Sequence, residues 1–333
     1  MINTRINEIY NANDVLHPND LRKRILNIDS RFCSDSSKST TDFTFHLEHT
    51  YKNLIRLRIA SIEIPNMVYT FTAKNNSFII KAYDILNIAR TITITLPVGN
   101  YTSCDLITLL QSLLDTGVRD KYGIFMNITL DTATAKVTIT HTGVSSVPVT
   151  IPVTTPLSPA KPFILDFNSV NKRKHNFGLG YNLGFRKNIY KVTTSQTGEC
   201  CLDVVGDTYM FLCINDLHTV EQKTTENYIQ CLAKIIIRED RYAVIYDDGS
   251  TLMSNEIVFP SPIDLKVLQV KLLDPYGEVV DLNCMNFSFS LEITEVLNTS
   301  LYDFYRNYIW LGTIPSIKKP SGSQQGLLKG VGP

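Results

Sequence analysis

The chain has 333 residues, 44% hydrophobic and 19% charged, a balance that excludes a disordered chain and allows a large buried core. Lys+Arg and Asp+Glu each number 32, and the zero net charge excludes a surface built throughout to grip nucleic acid or anionic lipid, though not a local basic patch. No run approaches the roughly 20 apolar residues that span a bilayer.

The opening, Met1-Ile2-Asn3-Thr4-Arg5, lacks a basic segment followed by an apolar one, so no secretory signal is expected. A chain made in a reducing cytoplasm follows from that. Its seven scattered cysteines (Cys33, Cys104, Cys200, Cys201, Cys213, Cys231, Cys284) are then expected as reduced, buried small hydrophobes. Residues 1–25 are polar, broken by His17-Pro18-Asn19-Asp20, and carry the basic triplet Arg22-Lys23-Arg24; they read as an arm outside the core.

Strand signals begin at Phe43, Phe45 and Leu47, which alternate with Thr44, His46 and Glu48. Ile55, Leu57 and Ile59 continue the alternation, and the phase then flips to Ala60, Ile62 and Ile64 before Pro65. Such a flip implies a bulge or a strand that passes between two environments. Ile92, Ile94 and Leu96 alternate with threonines, and Pro97-Val98-Gly99-Asn100 makes a turn. Thr102 or Ser103 then caps a helix bearing Leu106, Leu109, Leu110, Leu113 and Leu114, closed by Gly117. A hairpin follows, out through Ile128 and Leu130, turning near 131–135 and back through Val137 and Ile139. The stretch 147–162 is too proline-rich for a central strand.

Further strands are read at 209–214, 233–237, 244–246 and 265–273, with a type I turn at Asp274-Pro275-Tyr276-Gly277. The clearest strand carries Phe287, Phe289, Leu291 and Ile293. A helix over 301–310 puts Leu301, Phe304, Tyr305 and Tyr308 on one face, and the Gly/Ser-rich tail beyond it cannot order itself. Many short strands with turn signals and few helices imply a mainly β sandwich, jelly roll or barrel, in which 91–185 is a small α+β interruption.

No pattern points to catalysis. The cysteines and six histidines are scattered without zinc spacing or a nucleophile–base signature. Gly178-Leu179-Gly180-Tyr181-Asn182-Leu183-Gly184 has GxGxxxG spacing, not that of a dinucleotide loop, and reads as a turn packing Leu179, Leu183 and Phe185. Asp247-Asp248-Gly249 reads as a hairpin turn. No catalytic, cofactor-binding or metal-binding residue is expected. The candidate contacts are the basic residues Arg22, Lys23, Arg24, Lys172, Arg173, Lys174 and Arg186, more apt for another subunit than for phosphate. The aromatic set Tyr305, Tyr308 and Trp310 is either a docking face or packed back on its own sheet.

Several segments resemble, in order, the penton and minor capsid proteins of nucleocytoplasmic large DNA (giant) viruses. They are Asn27-Ile28-Asp29-Ser30-Arg31, Asp42-Phe43-Thr44-Phe45, Leu57-Arg58-Ile59-Ala60-Ser61-Ile62-Glu63-Ile64-Pro65-Asn66 and Gly99-Asn100-Tyr101-Thr102. Leu183-Gly184-Phe185-Arg186, Leu272-Leu273-Asp274-Pro275-Tyr276-Gly277 and Asp281-Leu282-Asn283 before Phe287-Ser288-Phe289 complete the set, over roughly 26–295. The resemblance implies a single jelly-roll β-sandwich without catalytic residues, forming homopentamers at icosahedral fivefold vertices. Its partners would be itself, the major capsid protein and other minor capsid proteins, with no direct nucleic-acid binding expected. It would reside in virions assembled in the host cytoplasm.

The expected layout is an N-terminal arm (1–25), a discontinuous jelly roll (26–90 and 186–310), an inserted α+β lobe (91–185) and a C-terminal tail (311–333). The alternatives are another minor capsid protein under the facets, or a jelly-roll receptor- or glycan-binding surface protein. The last would need an exposed cluster of aromatic and polar side chains on a loop face.

Overall fold

The computed structural model describes residues 20–33, 39–145, 157–168, 177–224, 228–249, 254–300 and 302–303. In chain order the first strands are β1 (Leu21–Asp29), β2 (Asp42–Pro65), β3 (Ser77–Tyr83), β4 (Ala89–Thr95), β5 (Ile124–Asp131), β6 (Lys136–Val144) and β7 (Phe163–Asp166). There follow β8 (Ile189–Val192), β9 (Ser195–Thr197), β10 (Tyr209–Ile214), β11 (Val220–Lys223) and β12 (Tyr228–Cys231). The last are β13 (Ala233–Ile236), β14 (Val244–Asp247), β15 (Ile257–Leu273) and β16 (Ser288–Val296). Helix α1 spans Ser103–Leu114 and the short α2 spans Leu179–Asn182. The protein is mainly β, and no helix among the described residues is long and apolar enough to cross a membrane.

The largest sheet is antiparallel, in the order β1-β16-β2-β15-β10-β13, with β14 also on β2. Its 24-residue strand β2 serves two layers. The C-terminal half of β2 pairs with β16 and β14, and the N-terminal half with the end of β15, which passes to β10. Between the halves the register breaks, so that residues 259–262 of β15 lie opposite Ile55 alone. Pro260 and Pro262 fall in that gap, where their missing N–H groups cost no ladder bonds. Asn53 completes the bend at φ 58°, its N–H donating to Asp264 Oδ1 at 3.1 Å. The two layers share one core, in which Leu26, Ile28, Ile62 and Phe289 join Met210, Leu212, Leu268 and Val270. Phe43 meets Phe287 edge-on at 5.9 Å within it.

The phase flip in β2 is a bulge. Ser290 pairs with Ser61 and Leu291 with Ile59, leaving Ala60 over, and Leu57, Ile59, Ile62 and Ile64 all reach the same core.

A second core draws on Phe71 through Val192. The sheets β4-β3-β7-β8 and β5-β6-β9 build it together with α1, and none of their strands pairs with the large sheet among the described residues. The expected limits of 91–185 are therefore too narrow. Ile92 and Ile94 of β4 bury their face only beside Phe78 and Ile80 of β3, and Tyr190 and Val192 of β8 complete the far side. Residues 77–83 and 189–192, expected outside the lobe, thus belong to this second core. The ends of this unit meet, since Thr70 Oγ1 lies 3.5 Å from the Val205 carbonyl.

Two further expectations change. The arm does not extend to residue 25, because β1 starts at Leu21 and pairs in register with β16, from Leu21–Val296 to Asp29–Ser288. Those ladder bonds and the burial of Leu26 and Ile28 outweigh the polar composition of 22–24. Helix α1 is capped by Thr102, whose Oγ1 accepts from Asp105 N at 3.2 Å, but Gly117 does not end it. The helical path runs on through Asp115–Arg119 and Asp120–Tyr122, because Val118 is buried in the core. Gly123, at φ 64°, supplies the left-handed stop.

Close ends and a separate core lead to an expected outcome. Replacing residues 71–205 with a short Gly/Ser linker should leave a remainder that melts in one cooperative transition, as calorimetry would show.

Candidate functional site

At Pro65 the chain leaves the sheet and enters the second core, so the backbone groups of 66–70 need partners outside the ladder. Asn66 exchanges backbone bonds with the segment beside β14, its N–H donating to Ala243 O at 2.8 Å and its carbonyl accepting from Tyr242 N at 3.1 Å. Its side-chain amide donates to the Glu239 and Asp240 carbonyls at 2.9 and 3.3 Å. Asn283, held at φ 54°, donates its amide to Met67 O. Asn100 donates to Val68 O at 3.2 Å and accepts from Thr70 N at 2.7 Å. Arg241 closes the set, donating to Thr70 Oγ1, Val204 O and Val205 O at 2.6, 2.7 and 3.0 Å. Burial lowers the pKa of this guanidinium.

These ties floor a cleft of about 590 Å³ between the two cores, within the range of roughly 300–1,000 Å³ typical of small-ligand sites. Its walls carry Tyr69, Tyr101, Phe177, Tyr181, Tyr242 and Tyr276. Phe177 bridges the walls, 5.4 Å from the Tyr181 ring and 5.2 Å from the Tyr276 ring. Arg186 lies over Tyr181 at 4.1 Å and donates to Tyr181 O at 2.8 Å, fixing that end. Tyr101 is committed to Pro97 O at 2.8 Å, and burial raises its pKa. The acids are Asp203, Asp207, Glu239 and Asp240, and Asp203 Oδ1 accepts from Val205 N and Gly206 N.

Of the candidate contact residues only Arg186 lies near, behind Tyr181, while Asn66, Asn100, Tyr101, Thr102 and Tyr276 of the capsid-like segments line the cleft. Lys23 pairs with Glu292 at 3.2 Å and Arg24 with Glu295 at 2.8 Å, across β1 and β16, while Arg22 is exposed. Lys172, Arg173, Lys174, Tyr305, Tyr308 and Trp310 lie outside the described residues, as does most of the proline-rich stretch 147–162. Tyr302, from the same expected helix, is buried against Ile55 and Val296.

Gly180 and Gly184 serve packing. A Cβ at Gly180 would lie 2.4 Å from the Phe167 ring, and one at Gly184, where φ is 89°, would lie 2.1 Å from Cys200 O. Gly249, at φ 84°, donates to Asp247 Oδ1 in a turn. Among the described residues no group of His, Cys, Asp and Glu could hold a metal ion.

The expectation for the cysteines is corrected. Only Cys231 is buried, while Cys104, Cys201 and Cys284 are exposed and Cys33, Cys200 and Cys213 are half-buried. Position overrides residue type: Cys213, for example, alternates on β10 with buried Leu212 and Ile214.

Sequence reading missed the cleft because its residues come from well-separated segments. The one local signal is the dense polar run Arg238-Glu239-Asp240-Arg241-Tyr242.

No family model matches the chain, and no curated protein sequence does. Among solved structures it is similar to the mavirus penton protein, with 10% identity, 83% of this chain and 99% of that one covered, and a TM-score of 0.39. It is similar also to a chain of the Sputnik virophage cryo-EM structure, with 12% identity, 82% and 98% covered, and a TM-score of 0.37.

Two outcomes follow from the contacts. Asn66→Ala removes two donors at the junction and should cost about 1–2 kcal/mol in urea unfolding, with faster amide exchange at Tyr242 and Ala243. Glu292 has its pKa lowered by hydrogen bonds from Arg58, opposed by burial and supported by Lys23. A depressed carboxylate stabilises the fold above its unfolded pKa and loses that contribution as pH falls through the folded value. Glu292→Gln should therefore cost about 0.5–1 kcal/mol at neutral pH, kept small because Arg58 and Lys23 are screened by solvent. Melts across acidic pH should show that difference vanishing as the carboxylate protonates.

Proposed function

We propose that this chain is a non-enzymatic structural virion protein, a penton that closes the fivefold vertices of a large double-stranded DNA virus as a homopentamer. In this reading it is a single jelly roll carrying the second core as an inserted lobe. It contacts the major capsid protein and other minor capsid proteins in particles assembled in the host cytoplasm.

The observation that supports the reading is a pair of dissimilar edges on one layer, each with exposed apolar side chains. The row Asp29–Ser288–Glu63–Tyr246 crosses β1, β16, β2 and β14, so β1 and β14 are the two borders of that layer. Among the described residues neither border strand has a partner on its outer side. Ile25 and Phe32 are exposed at the β1 border, and Val244 and Tyr246 at the β14 border. Exposed strand edges with apolar side chains invite pairing unless something covers them. A closed ring needs a heterologous contact, in which one border of each copy meets the other border of the next. The ordered motif set of the sequence supports the same reading and suggests the number five.

Light scattering after size exclusion, together with the copy number in particles, tests the proposal. The purified chain should form pentamers, and Ile25→Lys or Val244→Lys should each yield monomers with an unchanged melting temperature. A mixture of these two variants retains one intact interface and should stop at dimers. Finding the chain only beneath the facets, or at a copy number other than five per vertex, would falsify the vertex assignment.

A further inference from the structure

We propose that the cleft between the two cores binds a neutral, hydroxyl-rich ligand, an oligosaccharide of pyranose units. This goes beyond the vertex reading and does not rest on it.

The composition of the cleft selects the ligand. Aromatic rings stand among side-chain amides and carboxylates, so the site is neither an apolar slot nor a charged groove. A pyranose matches that mixture: one face of the ring is C–H and packs flat on an aromatic surface, and its rim of hydroxyls both donates and accepts. Tyr242 is 71% exposed at the lip, where its ring is open to stacking. Glu239 and Asp240 are exposed beside it, and each carboxylate can accept from two neighbouring hydroxyls.

Charge argues against phosphate, sulfate or sialic acid. The cleft holds Asp203, Asp207, Glu239 and Asp240 against Arg238 and Arg241. The Arg241 guanidinium is already engaged by Thr70 Oγ1 and two carbonyls, so an anion would meet a net negative lining.

The site is also held in shape before any ligand arrives. The Tyr276–Phe177–Tyr181 array joins the walls and Arg186 backs Tyr181, while Asn66 pins the backbone that carries Glu239 and Asp240. Rigid walls lower the ordering cost of binding, which matters for a ligand whose hydroxyls exchange one set of hydrogen bonds for another.

The test uses the full chain on a glycan microarray carrying neutral, sialylated and sulfated oligosaccharides, followed by saturation-transfer NMR and calorimetry with the neutral glycan bound best. The expected result is binding of at least one neutral glycan, with saturation on its ring protons. Tyr242→Ala and the double variant Glu239→Gln/Asp240→Asn should each weaken it about tenfold or more at unchanged melting temperature. Tyr242→Phe should retain most of the affinity, because stacking needs the ring alone. Ile25→Lys, which breaks the proposed ring, should bind as the parent does, separating this inference from the vertex reading. The proposal is overturned if no neutral glycan binds, if only anionic glycans bind, or if the Tyr242 and Glu239/Asp240 variants bind as well as the parent.

Discussion

Every backbone group that leaves a sheet must find a new partner, and in this protein that demand is sharpest at 66–70. There the chain passes from the long strand β2 into the second core. Asn66, Asn100 and Asn283 meet it with side-chain amides, which can donate and accept at once, and Arg241 adds three donations from one rigid head. These bonds join segments far apart in the chain and hold the two cores in contact. The cleft exists because that joint is fastened at its floor and leaves its mouth open.

The same economy governs β2 and β15. Regular strands of 24 and 17 residues would run as a flat ribbon too long for one core. The bulge at Ala60, the loop of β15 opposite Ile55 and the left-handed Asn53 bend the ribbon, so that one pair of strands feeds both layers. Proline, usually foreign to inner strands, sits where the ladder is already broken. Segments that carry the capsid-like pattern turn out to be joints of this kind. Asp29 accepts from Arg31 N, and Ser30 exchanges hydrogen bonds with Phe287 and donates to Asn286, locking the end of β1 to the start of β16. A hydrogen bond from Arg31 lowers the Asp29 pKa against the opposing effect of burial.

Electrostatics follows the same inward logic. Lys23, Arg24 and Arg58 face Glu292 and Glu295 across the first layer, and Arg90 is held by Asp84 in the second core. Among the described residues these pairs neutralise part of the positive charge locally. At the borders of the first layer Ile25, Phe32, Val244 and Tyr246 are exposed beside charged side chains such as Arg22 and Lys23.

The period-two runs, the Thr102 cap, the 131–135 turn and the Asp274–Gly277 turn were legible in the sequence, because each depends on residues within a few positions of one another. The flip between Ile59 and Ile62 even announced its bulge, since parity along a strand is a local count. The extent of the second core was not legible: β3 and β8 carry the same alternation as the strands of the large sheet, and only pairing decides which core they serve. Burial of the cysteines was misjudged for the same reason, strand phase outranking residue type. The cleft lay furthest from view, because Tyr69, Phe177, Tyr242 and Tyr276 are ordinary residues until folding brings their segments together. Sequence by itself determined the alternation, caps and turns, which are short-range properties of the chain. Tertiary structure alone decided the limits of the two cores and the site between them, because both arise from hydrogen bonds and packing between residues whose separation along the chain carries no local signal.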